Sequence, residues 1–265
     1  MNILDKIIAH KKTEVAAARK IQSIQSLEKS SYFSAPKISL KEYVLRNDKS
    51  GIIAEFKRKS PSKGIINETA LVANVTNGYR NAGASALSVL TDTQFFGGTN
   101  EDVLTARKVN DIPILRKDFT IDEYQIIEAK SIGANAILLI ASVLTKAEIK
   151  QFTTLAHNLG LEVLLEIHTN EELDKYIPEI SVVGINNRNL KTFEVDFENA
   201  IRLAKSLPEN TVKIAESGIS DYKNINYLRT QGFDGFLIGE NFMKTENPGV
   251  ACSDFIKKIN RNSHA

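Results

Sequence analysis

Residues 133–167, GANAILLIASVLTKAEIKQFTTLAHNLGLEVLLEI, carry in miniature the pattern of the whole chain. Ala136–Ala141 is a short apolar run of the kind a fully buried strand needs, with the turn signal Gly133 just upstream. Thr145–Leu159 follows, with apolar residues at Ala147, Ile149, Phe152, Leu155 and Ala156, the spacing of one helix face. Gly160 marks the end of that helix, and Glu162–Ile167 begins a second apolar run. Strand, helix and strand in this order make a βαβ unit, which implies a parallel sheet covered by helices.

Outward from this stretch, similar runs recur at Ile52–Glu55, Ala86–Thr91, Ile112–Lys117, Val182–Asn187, Val212–Glu216 and Gly235–Gly239. Eight strands are thus predicted, with starts 20 to 34 residues apart and amphipathic stretches between them. The expected fold class is α/β: a single (β/α)8 barrel, the TIM barrel. A doubly wound open sheet has fewer strands and often a glycine-rich first turn, and no G-x-G-x-x-G follows the first run. Residues 1–48 stand outside the rhythm. Ile3, Leu4, Ile7, Ile8 and Val15 lie at helical spacing, Ser23–Ser34 reads as a looser connection, and a short helix is expected near Leu40–Leu45. So few apolar anchors would hardly fold alone. The expected organisation is an N-terminal helical extension, 1–48, packed on a barrel, 49–265.

The 265 residues are 42% apolar and 25% charged, a globular composition rather than a disordered one. Lys and Arg number 34 against 32 for Asp and Glu, and a net charge of +2 gives no reason to expect nucleic acid or membrane as partner. The lone Cys252 excludes an internal disulfide framework and any multi-cysteine metal site, and its expected role is a small residue on the last helix. Asp5, Lys6, Lys11, Lys12 and Glu14 interrupt the N-terminus where a secretory signal would be apolar. Ala134–Leu144, the most apolar run, is too short for a membrane helix. The expectation is a cytoplasmic protein. His10, His157, His168 and His264 show no metal-ligand spacing, and His168 is read as a solvated loop histidine.

In a (β/α)8 barrel, catalytic groups project from the C-terminal ends of strands. Polar residues interrupt five of the eight runs at that end: Glu55 and Lys57, Lys117, Glu166, Asn186 with Arg188, and Glu216 with Ser217. A single charge at a strand end is ordinarily solvated, and Glu55 with Lys57 could be a structural ion pair. Their joint recurrence argues instead for a polar site at the barrel mouth. Glu166, between Val163-Leu164-Leu165 and Ile167, should be partly desolvated, which raises a carboxyl pKa unless a cation pairs with it. Ser217-Gly218 after the seventh run and Gly239-Glu240 after the eighth are turns where backbone N–H groups can approach an anion, which points to a phosphorylated substrate. Phe95-Phe96-Gly97-Gly98 could be a hydrophobic plug or an aromatic wall; the residues leave both open.

Ile52-Ile53-Ala54-Glu55-Phe56-Lys57-Arg58-Lys59-Ser60-Pro61-Ser62-Lys63-Gly64 resembles the first-strand signature of the indole-3-glycerol phosphate synthase family. So do Ile114-Leu115-Arg116-Lys117-Asp118-Phe119, Leu164-Leu165-Glu166, Gly184-Ile185-Asn186-Asn187-Arg188-Asn189-Leu190, Ala215-Glu216-Ser217-Gly218-Ile219 and Phe236-Leu237-Ile238-Gly239-Glu240. The resemblance covers essentially the whole chain. Phe56 departs from it, where a smaller aliphatic is expected, on the face turned away from the site. The resemblance implies a carboxy-lyase of tryptophan biosynthesis that closes the indole ring of 1-(2-carboxyphenylamino)-1-deoxyribulose 5-phosphate, losing carbon dioxide and water. It implies Lys117 as general acid on the substrate carbonyl oxygen and Glu166 as the base of the dehydration steps. Lys57, held by Glu55, would bind and polarise the substrate and could share the acid role with Lys117, which leaves open which of the two delivers the first proton, and Glu216 would stabilise the developing cation. Asn186 and Arg188 would orient the substrate, Ser60 would sit near its carboxylate, and Phe96, Phe119, Leu138, Leu190 and Leu237 would enclose it. Ser217, Gly218, Gly239 and Glu240 would hold the phosphate. No cofactor or metal is implied, and contact with other tryptophan-pathway enzymes is left open.

Lys57 and Lys117 are expected to repel each other and so depress a lysine pKa toward acid work. Three rivals stand beside this reading. Phosphoribosylanthranilate isomerase chemistry uses a cysteine base, yet Cys252 lies beyond the eighth strand. A Schiff-base aldolase would use Lys117 as nucleophile. A non-catalytic scaffold would need none of these residues.

Overall fold

The computed structural model describes residues 2–188 and 195–262, with side chains described through residue 259. Eight parallel strands form a closed barrel. They are β1 (Ile52–Phe56), β2 (Ala86–Leu90), β3 (Ile114–Lys117), β4 (Ala136–Ile140), β5 (Glu162–Ile167), β6 (Val182–Asn186), β7 (Val212–Glu216) and β8 (Gly235–Ile238). Each pairs with its sequence neighbours, and β8 closes on β1 with Ile53 opposite Leu237. The predicted strands agree to within two residues. The largest difference is the start of β3, which lies beyond Pro113, a residue without an N–H to give to a ladder.

Strict alternation divides the strand residues between two cores. Ile52, Ala54, Phe56, Leu87, Val89, Ile114, Ile137 and Leu139 face outward and pack under the helices. Ile53, Ala86, Leu115, Ala136, Leu138, Leu164, Val182, Ile214 and Leu237 fill the barrel interior. Because both faces are covered, β1, β2 and β4 are buried at every position, which is why their sequences lack polar alternation apart from Glu55 and Ser88, on the inward face. The helix predicted over Thr145–Leu159 spans Lys146–Asn158. Thr145 and Glu148 make a reciprocal capping box at its start, and Gly160, at φ 73°, turns the chain after its end.

The first helix, α1 (Ile3–Ile21), buries Ile7, Lys11 and Val15, and its N-terminal turn reaches the barrel mouth. Near its end, Tyr124 Oη donates to the Ala18 and Gln22 carbonyls. The chain then turns through a short helix, Ile24–Leu27, where the sequence suggested only a looser connection. Ser30 Oγ donates to the Ser131 carbonyl farther along. Finally the helix Leu40–Leu45, where it was expected, inserts Leu40 and Val44 into the interior core. Its N-cap Ser39 donates to Glu162, at the start of β5, so this segment closes the end of the barrel opposite the mouth.

Candidate active site

Period two decides which side chains reach the barrel interior at its C-terminal end. Glu55, Lys117, Glu166 and Glu216 each lie two residues beyond an inward apolar residue: Ile53, Leu115, Leu164 and Ile214. Asn186 lies four beyond inward Val182. All five therefore converge on one cavity of about 1380 Å3 at the mouth. Leu138 and Leu237 form its apolar floor, and Phe96, Phe119, Ser60 and Lys57 stand on its rim.

Lys117 Nζ donates to Glu166 Oε2 at 3.0 Å and lies 3.7 Å from Glu216 Oε2. Asn186 Nδ2 donates to the other Glu166 oxygen at 3.0 Å, and its own Oδ1 accepts from the Arg188 N–H. Lys57 Nζ pairs with Glu55 Oε1 at 2.7 Å, and Ser88 Oγ donates to Oε2. Burial alone would push the Lys117 ammonium down, but Glu166, Glu216 and Glu55 outweigh it and hold its pKa above the ordinary lysine range. This corrects the expected depression: three carboxylates, rather than a second lysine, dominate its surroundings. Burial would likewise raise Glu166, but Lys117, His168 and Asn186 overcome it and hold that carboxyl well below its usual range. Glu216 goes the other way. Burial and repulsion from Glu166 push it up to about 8 against the pull of Lys117. Its Oε1 has no hydrogen-bond partner among the described residues. The mouth thus brings together a fixed ammonium, a carboxylate held toward its ionised form and a carboxyl pushed toward its protonated form.

His168 is not the solvated loop residue expected. Its side chain is 8% exposed, with Nε2 3.1 Å from Glu166 Oε1 and Nδ1 3.3 Å from Glu172 Oε2. Burial would lower its pKa, but the two carboxylates push it up to about 10. The missed signal is the same period of two, because His168 follows Glu166 by two positions and shares its inward face. His168→Asn removes a group whose folded pKa is raised, so its stabilisation is complete below the unfolded pKa and is lost as pH rises through about 10. The variant is expected to melt well below wild type at pH 6, with the gap closing toward pH 10. A pH-independent gap in melting temperature would contradict this.

Gly184 is a second residue without an assigned role. A Cβ there would lie 1.9 Å from Glu216 Oε1 and 2.8 Å from Leu164 Cδ2, so only glycine leaves room for the Glu216 carboxyl beside β6. Since misplacing a reacting group by about 1 Å can cost 10²-fold, Gly184→Ala is expected to lower kcat by about that factor. Steady-state kinetics beside a thermal melt will separate this from unfolding; an unchanged kcat would sink it.

Ser217, Gly218, Gly239 and Glu240 line the opposite side of the cavity. Ser217 and Gly218 are consecutive left-handed residues, at φ 66° and 73°, which costs serine on the order of 1 kcal/mol. The Glu240 carboxylate lies 3.7 Å from Lys63 Nζ and 4.0 Å from Arg188 Nη2, so two cations stand at this end. Of the two aromatics singled out by sequence, Phe96 lines the cavity. Its ring centroid lies 5.9 Å from that of Phe119, on the cavity rim, whereas Phe95 packs edge-on against His10 of α1. Phe56 is buried in the outer core beneath Arg58, away from the cavity. Leu190 lies outside the described residues. Cys252 is buried in the last helix, and burial pushes its thiol up to about 12.

The family model described as indole-3-glycerol phosphate synthase matches residues 4–255. A protein of that name from Bacteroides thetaiotaomicron is 51% identical over 258 residues, covering 97% of this chain and 99% of the relative. Another, from Thermoanaerobacter pseudethanolicus, is 41% identical over 97% of this chain and 98% of the relative. Among solved structures, the tryptophan synthase alpha subunit of Legionella pneumophila superposes with a TM-score of 0.61 at 10% identity, covering 84% of this chain and 98% of that one. Thiamine phosphate pyrophosphorylase of Pyrococcus furiosus gives 0.60 at 16%, covering 82% and 98%. At such identities these two likenesses speak for the barrel fold alone.

Proposed function

The chain belongs to the indole-3-glycerol phosphate synthase family, and on that premise we propose how its barrel mouth performs the family's ring closure. The substrate, 1-(2-carboxyphenylamino)-1-deoxyribulose 5-phosphate, spans the cavity. Its phosphate lies on the Ser217-Gly218 and Gly239-Glu240 turns, and its aryl ring lies against Phe96 and Phe119 over Leu138 and Leu237. This bent pose brings the carboxylate-bearing aryl carbon toward the keto carbon, and such positioning can remove several kcal/mol from the barrier.

Lys117 gives its proton to the keto oxygen as the carbon–carbon bond forms, and Lys57, anchored on Glu55, polarises the same region. Loss of carbon dioxide restores the aromatic ring. Dehydration then removes the new hydroxyl with a ring proton, and Glu166, ionised and beside Lys117, is the base. Glu216, pushed up by burial and by Glu166 toward its protonated form, supplies a second proton near the leaving hydroxyl or, once ionised, steadies the cation that forms. Asn186 and Arg188 hold Glu166 and the substrate in register, and Ser60 meets the substrate carboxylate. The observation that carries the proposal is the Lys117 ammonium between Glu166 and Glu216 beside a paired aromatic rim. A cytoplasmic location and contact with other enzymes of tryptophan biosynthesis belong to the same proposal. Among the described residues no helix is long and apolar enough to cross a membrane.

Borohydride added during turnover tests the proposal against a Schiff-base aldolase. Ring closure predicts rising indole fluorescence and no substrate mass on the protein. A reduced adduct on Lys117 would overturn it.

A further inference from the structure

Lys11, in the middle of α1, is 1% exposed and lies outside the catalytic constellation. Its ammonium lies 3.1 Å from Asp92 Oδ2, 2.9 Å from Asp118 Oδ1 and 3.0 Å from each oxygen of Glu14. Asp92 and Asp118 are themselves fully buried. Each also holds the turn that carries one aromatic residue of the cavity rim. Asp92 Oδ1 accepts from the Phe95 N–H at 2.7 Å and caps the short helix Thr93–Phe96. Asp118 Oδ1 accepts from the Phe119 N–H at 2.8 Å, while its Oδ2 accepts from Thr91 Oγ1 and Arg116.

The two carboxylates are not equally served. Asp118 has Arg116 as a second cation, whereas Asp92 Oδ2 has no hydrogen bond, only the ion pair with Lys11. A buried carboxylate without a cation is costly, and two facing each other would repel. Without Lys11 the pair must take up a proton, which weakens the carboxylate's hold on its N–H cap, or move apart, and either change reaches the turns on which the two rings ride.

We propose that Lys11 is a positioning residue for ring closure: by neutralising Asp92 and Asp118 together it holds the Phe96 and Phe119 turns in register and makes the aryl wall depend on the seating of α1. This rests on the reading of Phe96 and Phe119 as the wall for the substrate's aryl ring. One turn before Lys11, Ile7 reaches the same cavity, so the seated helix itself lines the site. No charge at Lys11 touches the substrate; its effect passes through the two caps.

The experiment uses the full chain, its ring-closing substrate, and inorganic phosphate as competitive probe of the anion turns. Lys11→Met is expected to lower kcat/KM by 30- to 100-fold, with inhibition by phosphate changed less than threefold. Lys11→Met/Asp92→Asn, which removes the orphaned charge but keeps the Oδ1 cap, is expected to recover to within about fivefold of wild type. A Lys11→Met protein with normal kcat/KM overturns the proposal. So does a double variant that folds yet stays as impaired as the single one, and so does a parallel loss of phosphate inhibition, which marks general loosening. If Lys11→Met does not fold, the double variant alone decides by the same fivefold criterion. Phe96→Ala and Phe119→Ala separate the two layers of the argument. Normal kcat/KM in both sinks the aryl-wall reading, whereas impairment in both with a normal Lys11→Met sinks the Lys11 proposal alone.

Discussion

Replacing Lys117 by methionine is expected to lower kcat by about 10²–10⁴-fold, the usual worth of a positioned general acid. Neither carbon dioxide nor indole-3-glycerol phosphate should be released at an appreciable rate, because the proton to the keto oxygen is needed before the carboxylate can leave. The same change should leave a signature in stability. Lys117 holds Glu166 down and restrains the rise of Glu216. Without that cation the folded pKa values of both carboxyls climb. A carboxyl with a raised folded pKa stabilises the fold while protonated and loses that contribution as pH rises through the folded value. Lys117→Met is therefore expected to melt close to wild type near pH 5 and to fall progressively below it toward pH 9. A variant with near-normal turnover, or with a melting gap that shrinks as pH rises, would count against the assignment.

Glu166→Gln should be as costly overall, about 10²–10⁴-fold in indole formation, but at a different step. Glutamine keeps the size of the side chain and one acceptor oxygen for Lys117, at the cost of setting its NH2 against the Asn186 Nδ2 donor, so the cavity should survive. Lys117 keeps Glu216 as partner, now freed of repulsion from Glu166 and expected to ionise more readily. Ring closure and decarboxylation can then proceed while the base for dehydration is missing. A stoichiometric burst of carbon dioxide without matching indole fluorescence is the expected result on rapid mixing. Simultaneous loss of both products would assign Glu166 to the closure step instead.

The barrel was legible because each strand is buried on both faces, which leaves short unbroken apolar runs such as Ala136–Ala141 that fit little else. The site was legible where polar residues broke those runs in phase, as Lys117 and Glu166 do. Distances across the barrel were not legible. Lys117 takes its ionic neighbours from β1, β5 and β7, so the direction of its pKa shift depends on closure geometry that no local pattern encodes. His168 was misread because its burial depends on Glu172 folding back from the next helix. Lys11 looked like one more charge on an amphipathic helix. Its partners Asp92 and Asp118 lie more than 80 residues away in sequence, and only the packed fold brings them to its side. Phe95 and Phe96 are adjacent and chemically alike, and only the short helix Thr93–Phe96 sends one to the cavity and the other under α1.

The most direct test is indole fluorescence after mixing the purified chain with 1-(2-carboxyphenylamino)-1-deoxyribulose 5-phosphate, a chelator present and Lys117→Met run alongside. Multiple turnovers by the wild-type chain and near-silence from the variant are the predicted result. A folded wild-type protein that binds the phosphate yet forms no indole, or a variant that forms it as fast, would contradict the assignment of this barrel mouth to ring closure.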